Sequence, residues 1–188
     1  GTHKGKMIRF NEKDVRELGR VSRGVRAIKL EDDDYVVGMS VYRDGGKMLV
    51  VSENGFGKKT ELEEYKTQSR GGKGCSTYKI SPETGNVSGI KVVSPEDDII
   101  IITSEGVIIR LDSEDISTYS RVTKGVRLMR LAEGVKVATI ARVEKEQEFE
   151  EEVDSLESKG TVETSEPTET MESVEDKELS EATEPTDE

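Results

Sequence analysis

Hydrophobic positions along this chain fall in short runs set off by tight polar turns, which is the pattern of strands. Residues 6–10 and 26–30 read as two strands around a polar stretch whose helical signal is a single turn at 12–17. The later counterpart of that stretch, at 112–118, holds too many β-branched and capping residues for a long helix. Residues 35–42 and 47–52 flank Arg43-Asp44-Gly45-Gly46, an Asp-Gly hairpin turn. Glu53-Asn54-Gly55 then turns into a strand at 58–62. Strand-like sequence at 61–65 and 75–80 brackets the loop Gln68-Ser69-Arg70-Gly71-Gly72-Lys73-Gly74. Further strands follow at 87–93, 99–103, 107–111 and 135–141. The four isoleucines at 99–102 read as a strand buried on both faces. An all-β fold is expected.

The runs recur. Residues 5–30 align without a gap on residues 106–131, an offset of 101, and residues 55–80 lie 50 after the first copy and 51 before the third. Residues 35–41 answer residues 86–92 in the same way. Self-similarity at about 50 residues carried by short strands points to propeller-like blades or another β-repeat. Two complete units and parts of others cannot close a ring, so open strand edges are expected, and with them marginal stability or self-association.

The glycine-rich loop at 68–74 carries the most legible chemistry. Glycine backbone can enter φ > 0 and lie close against another surface, and successive free N–H groups form an anion-binding concavity. Arg70 and Lys73 add charge, so phosphate is the expected ligand. The repeat places Arg20, Arg23 and Arg26 where Arg70, Lys73 and Ser76 stand in the second copy and where Arg121, Lys124 and Arg127 stand in the third. Lys29, Lys79 and Arg130 form a further cationic position. Equivalent positions in a radial array share one rim, which predicts a curved positive track suited to bent duplex. No recognition helix is legible, and the five tyrosines are too scattered for a single-strand platform.

The period, the Glu-Gly-x-x-x-Arg hairpin with its later Lys-Gly-Val or Arg-Gly-Val, and the Gln-x-Arg-Gly-Gly-Lys-Gly loop together resemble the C-terminal DNA-wrapping domain of the DNA gyrase A protein, from residue 5 to about 143. The resemblance implies a β-pinwheel, usually of six four-stranded blades, in which a box of the type Gln-Arg-Arg-Gly-Gly-Lys-Gly is needed to wrap DNA and introduce negative supercoils. By that match Gln68, Arg70, Gly71, Gly72, Lys73 and Gly74 occupy box positions, and Ser69 stands where a second arginine is usual. The family's box sits in the first blade, whereas here a related copy precedes it, so the chain is expected to cover roughly the last half of the domain. The resemblance further implies double-stranded DNA as partner, together with the rest of gyrase A and the ATPase component, gyrase B, of an A2B2 complex. Strand passage in the parent uses a tyrosine nucleophile, Mg²⁺ and ATP, so this chain is expected to be non-catalytic and to hold no cofactor. The homologous domain of topoisomerase IV is a related alternative; a β-propeller protein-interaction scaffold is one from a different class.

Charge divides the chain. Residues 1–143 hold 25 Lys/Arg against 21 Asp/Glu, while residues 144–188 hold 3 against 19. The tail has almost no aromatic residues and cannot bury enough surface to offset ordering entropy, so disorder is expected, and with it either a solubilising role or competition with DNA for the basic rim. The single cysteine, Cys75, forms no intrachain disulfide and suits a reducing cytoplasm. One His and one Cys exclude a zinc site and a Ser/His/Asp or Cys/His arrangement. The acidic clusters at 31–34 and 96–98 lack a calcium-loop pattern and read as solvated turns. No run approaches the length of a membrane span, so no membrane partner is expected. The opening Gly-Thr-His reads as foreign to the repeat.

Overall fold

A computed structural model describes residues 1–145 of the chain. Among these residues nine strands form three antiparallel sheets. In chain order they are β1 (Lys6–Met7), β2 (Lys47–Ser52), β3 (Phe56–Glu61), β4 (Cys75–Ser76), β5 (Val87–Val93), β6 (Asp97–Thr103), β7 (Ile108–Asp112), β8 (Val126–Arg127) and β9 (Val137–Glu144). Two strands, β1 and β4, make the smallest sheet; the second has the order β5-β2-β3-β8 and the third β7-β6-β9.

The period of the sequence reappears in the pairing. β2 and β3 form a hairpin, as do β6 and β7. Each hairpin takes its next strand from later in the chain: β5 pairs with β2, and β9 pairs with β6 in the equivalent register. The remaining edge is closed by a strand from the following repeat. β4 reaches back to β1 through Met7 and Cys75, and β8 reaches back to β3 through Gly57 and Val126. Consecutive units are therefore joined by a borrowed strand as well as by side-chain packing.

The turn inside each unit is fixed by one hydroxyl. Thr2, Ser52 and Thr103 occupy equivalent positions and are all buried. Their Oγ atoms accept hydrogen bonds from the N–H groups of Lys6, Phe56 and Val107 at 3.2, 3.3 and 3.1 Å. Their carbonyls accept from Gly5, Gly55 and Gly106 at 3.0, 3.1 and 3.0 Å. A short polar side chain is needed because each buried amide must find an acceptor and the strand ladder supplies none at the turn. The opening Gly-Thr-His is thus part of the repeat and not foreign to it: Thr2 serves as Ser52 and Thr103 do, and His3 stacks on Tyr35 with ring centroids 4.5 Å apart.

β2 sits between two cores. Met48 and Val50 join Met7, Tyr65, Tyr78 and Ile90 on one side. Leu49 and Val51 join Ile99, Ile101, Ile116 and Ile140 on the other. Burial of both faces explains why the run Met48-Leu49-Val50-Val51 is continuously apolar; each such side chain contributes on the order of 1.5–3 kcal/mol.

Several expectations are corrected. The run at 35–42 is not a strand: Val36 bridges Thr2, and beyond it Met39 and Val41 are 80% and 74% exposed. Residues 26–30 likewise form no strand, although Ile28 is buried. The stretch at 61–65 folds as a 3₁₀ turn, Leu62–Glu64, and the strand expected at 75–80 is only the two-residue β4. A strand persists only as far as its partner ladder, and these segments have short partners or none among the described residues. The four isoleucines alternate, with Ile99 and Ile101 fully buried and Ile100 and Ile102 half-buried. Asp97 and Asp98 are not a solvated turn. They begin β6 and are buried, Asp97 against Arg142 Nη1 at 3.1 Å and Asp98 against Arg110 Nε at 2.5 Å. β9 runs through Glu144, and Lys145 Nζ lies 2.8 Å from Asp112. From residue 146 onward, the stretch for which disorder is expected lies outside the described residues.

Candidate nucleic-acid interface

Three loops, at 18–24, 68–74 and 119–125, hold the same place in consecutive repeats. Backbone hydrogen bonds arrange them in succession. The N–H of Gly71 donates to the carbonyl of Ala27 at 2.7 Å, and the N–H of Lys29 to that of Gly72 at 2.8 Å, which docks the second loop on the segment just after the first. The N–H of Lys79 donates to Thr123 at 3.3 Å, which docks the third loop on the segment just after the second. The loops therefore follow one another along one edge of the array.

Each of the second and third loops ends where no side chain fits. Gly74 has φ +68°, and a Cβ on it would clash with the carbonyl oxygen of Met7; Gly125 has φ +72°, and a Cβ there would clash with the carbonyl oxygen of Gly57. These are the points where the borrowed strands β4 and β8 enter beside β1 and β3. The glycine of the Lys-Gly pair is thus fixed by close backbone approach.

The cations divide into two groups. Arg70 donates from Nη1 to Arg26 O at 2.5 Å and from Nε to Asp14 O at 3.2 Å. Arg121 donates from Nη1 to Ser76 O at 3.4 Å, its backbone N–H meets Glu64 Oε2 at 3.0 Å, and its Nε is 3.9 Å from the same carboxylate. Arg26 and Ser76 are repeat equivalents, so both half-buried arginines clasp the same carbonyl of the preceding repeat. By contrast Arg20, Arg23, Arg26, Lys73, Lys124 and Arg127 are exposed or half-exposed, as are Lys29, Lys79 and Arg130. Lys124 pairs with Glu83 at 2.9 Å, and Arg127 lies over the Phe56 ring at 4.9 Å. Gln68 is half-buried, with its N–H on Arg9 O at 2.8 Å.

The anion-binding concavity expected at 68–74 is narrower than the sequence suggests. The Gly71 N–H is occupied by Ala27, and the Arg70 guanidinium by two carbonyls, so neither group faces solvent unpartnered. The charge that this edge offers outward comes from Lys73, Arg23 and Lys124 with their equivalents.

Two further cations act between repeats, and sequence reasoning missed them. Arg9 donates from Nη1 to Leu62 O at 3.0 Å, and Lys59 Nζ donates to the equivalent Ser113 O. The signal was available in the cation shared by positions 9, 59 and 110. Beside Lys59, Lys58 is fully buried and donates to the carbonyls of Ser120 and Arg121. Burial pushes its ammonium down to about 8, with Glu64 opposing that shift and Arg121 adding to it. Among the described residues no group of His, Cys, Asp and Glu is placed to hold a metal ion, and no helix is long and apolar enough to cross a membrane.

Stacked β units that exchange a strand and line one edge with recurring cationic loops define a propeller-type repeat domain. The family model that matches is the DNA gyrase C-terminal domain, beta-propeller, over residues 1–43, 46–94 and 97–144. Curated relatives include the DNA gyrase A protein of Staphylococcus epidermidis, 45% identical over 150 residues, or 79% of this chain and 17% of the relative. That of Ureaplasma parvum is 45% identical over 141 residues, covering 75% and 17%. A solved DNA gyrase A C-terminal domain superposes with TM-score 0.70 at 26% identity, covering 75% of this chain and 48% of that one. The C-terminal domain of DNA topoisomerase IV gives 0.72 at 25%, covering 76% and 45%. The chain belongs to the DNA gyrase C-terminal β-propeller domain family. It spans about a sixth of the length of its curated gyrase relatives.

Proposed function

We propose that the chain is a non-catalytic DNA-wrapping module of a gyrase A protein, and that the edge carrying Arg23, Lys73 and Lys124 bends duplex DNA. The observation that carries this reading is the docking of each loop on its predecessor, which brings the cations of three repeats into sequence along one edge. Exposed lysines and arginines repeated in this way meet phosphates at regular intervals and read no bases, so binding is weakly sequence-specific and releases counterions. Bending 20–30 base pairs by 40–90° costs about 1–6 kcal/mol, which contacts from several units offset together. Within this reading Lys73, Lys124, Arg20, Arg23, Arg26 and Arg127 contact phosphate. Arg70 and Arg121 hold consecutive loops in register, and Gln68, Gly71, Gly72 and Gly74 shape the second loop. The partners are double-stranded DNA, the rest of gyrase A and the ATPase component of a bacterial cytoplasmic complex, whose chemistry with ATP and Mg²⁺ resides in those other parts.

Ligation of nicked plasmid in the presence of the chain tests this. Wrapping shifts the topoisomer distribution in proportion to bound protein, and Lys73→Ala with Lys124→Ala reduces the shift. Unshifted topoisomers, together with no plasmid binding at low salt, would overturn the proposal.

A further inference from the structure

The second and third loops rest on different supports. Beneath the second lie two isoleucines: Ile8 Cδ1 is 3.6 Å from where a Cβ on Gly72 would stand, and Ile28 Cδ1 is 3.2 Å from one on Gly74. The repeat puts Lys58 and Tyr78 at the same two positions for the third loop. Both are buried, and both turn their polar ends to that loop's backbone. Lys58 Nζ donates to the carbonyls of Ser120 and Arg121, and the Tyr78 hydroxyl donates to the carbonyl of Lys124. The Lys58 ammonium also lies 6.0 Å from the centre of the Tyr78 ring, so the two side chains form one support.

The docking of the loops differs to match. The second is held by the Gly71 N–H on Ala27 O and by Arg70 on two carbonyls. The third has Val122 in place of Gly71, and Arg121 reaches one carbonyl, that of Ser76. An ammonium buried where the neighbouring units place Ile8 and Ile109 is unfavourable unless its donors find acceptors, and Lys58 finds two of them on the loop itself.

We infer that Lys58 and Tyr78 are positioning residues for the third loop, holding its backbone so that Lys124 meets a phosphate of bent duplex. The inference rests on the reading of this edge as the one that binds DNA. Lys58 and Tyr78 touch the loop and act through Lys124. The charge on Lys58 strengthens its bonds to the two carbonyls. Burial lowers its pKa to about 8; Glu64, from the turn after its own strand, opposes the shift, and Arg121, from the loop, adds to it. The support therefore weakens as pH rises through that value. Duplex affinity falls across the window in which the fold gains stability, and these opposite signs separate positioning of the loop from upkeep of the fold.

Affinity of the full chain for a labelled duplex is measured at about pH 7 and 9, on either side of the Lys58 titration. The same measurement is made on Tyr78→Phe, on Lys58→Met, and on each combined with Lys124→Ala. Tyr78→Phe, which loses one hydroxyl and keeps the ring, should bind about three- to tenfold more weakly. Lys58→Met should bind more weakly at the lower pH and lack most of the unmodified chain's fall at the higher. With Lys124→Ala already present both substitutions should have much smaller effects, since the group they position is gone. Hydrogen exchange without DNA should be faster at 119–125 in both variants and unchanged at 68–74. Tyr78→Phe binding as tightly as the unmodified chain, effects that add in full to that of Lys124→Ala, or the same pH dependence with and without Lys58 would overturn the inference. An unmodified chain that binds no duplex at low salt sinks the reading of the edge and the inference with it, whereas binding indifferent to these substitutions sinks the positioning role alone. Circular dichroism checks the fold of each variant, and Tyr78→Phe decides the matter by itself if Lys58→Met does not fold.

Discussion

At the scale of single residues, the loop glycines and one buried lysine set the terms. Gly24, Gly74 and Gly125 share left-handed backbone at the same repeat position, but only Gly74 and Gly125 face a carbonyl oxygen too close to admit a Cβ; Gly24 meets nothing within 4 Å. Alanine at Gly24 should cost about 1–2 kcal/mol from backbone conformation alone. At Gly74 or Gly125 the cost should be larger, because β4 or β8 must also move away from its partner; urea denaturation of the three variants gives the order. Lys58 makes stability depend on pH. Its folded value lies near 8, below the ordinary lysine range, so between about pH 8 and 10.5 the unfolded chain binds the extra proton and stability rises with pH. Below that window both states are protonated and the penalty of burying the charge is constant. Lys58→Met should abolish this rise, which denaturation midpoints at about pH 7.5 and 9.5 measure.

At the scale of elements, the structure turns on devices that join one repeat to the next. Ser52 illustrates the turn: Ser52→Ala leaves the Phe56 N–H without its acceptor and should cost about 1–3 kcal/mol, read as a lower thermal midpoint. Arg70 illustrates the clasp. Because its guanidinium holds Arg26 O and Asp14 O, Arg70→Ala should lower thermal stability as well as DNA affinity, whereas Lys73→Ala should lower affinity at unchanged stability. Equal melting temperatures for the two variants would show that the clasp contributes nothing. The long strands were legible in sequence because their pattern is complete in itself: 47–52 and 87–93 match β2 and β5 at both ends. The short ones were not. β4 and β8 exist because a strand some 70 positions earlier offers two residues of ladder, and no local pattern records that. The apolar alternation at 35–42 misleads for the same reason, since strand sequence without a partner stays irregular. Asp97 and Asp98 were misread because the arginines that neutralise them, Arg142 and Arg110, come from other strands.

At the scale of the whole molecule, the recurring cations predict how binding responds to salt. If the exposed lysines and arginines each neutralise one phosphate, the logarithm of affinity falls linearly with the logarithm of salt, with a slope of about −0.9 per contact. Lys73→Ala should make the slope shallower by about one unit and affect unrelated sequences equally. A slope unchanged by that substitution, measured by titrating labelled duplex at several ionic strengths, would place Lys73 away from the backbone. The positions of these cations were readable from the repeat, but their division of labour was not. Equivalent side chains at 70 and 121 turn inward to carbonyls, while those at 73 and 124 stay exposed, and that choice depends on which backbone groups the neighbouring repeat leaves in reach.

Because the modules carrying Cys75–Ser76 and Val126–Arg127 each surrender a rib to the one behind, neighbours joined in this way cannot open independently. Melting the segment around Val126 bares the flank of the strand that begins at Phe56, although the two are distant along the polymer. Amide protons of neighbouring modules should thus be released to solvent at matched rates, and a pull applied by a tightly curved ligand at one loop would be shared down the line instead of tearing out the module it touches.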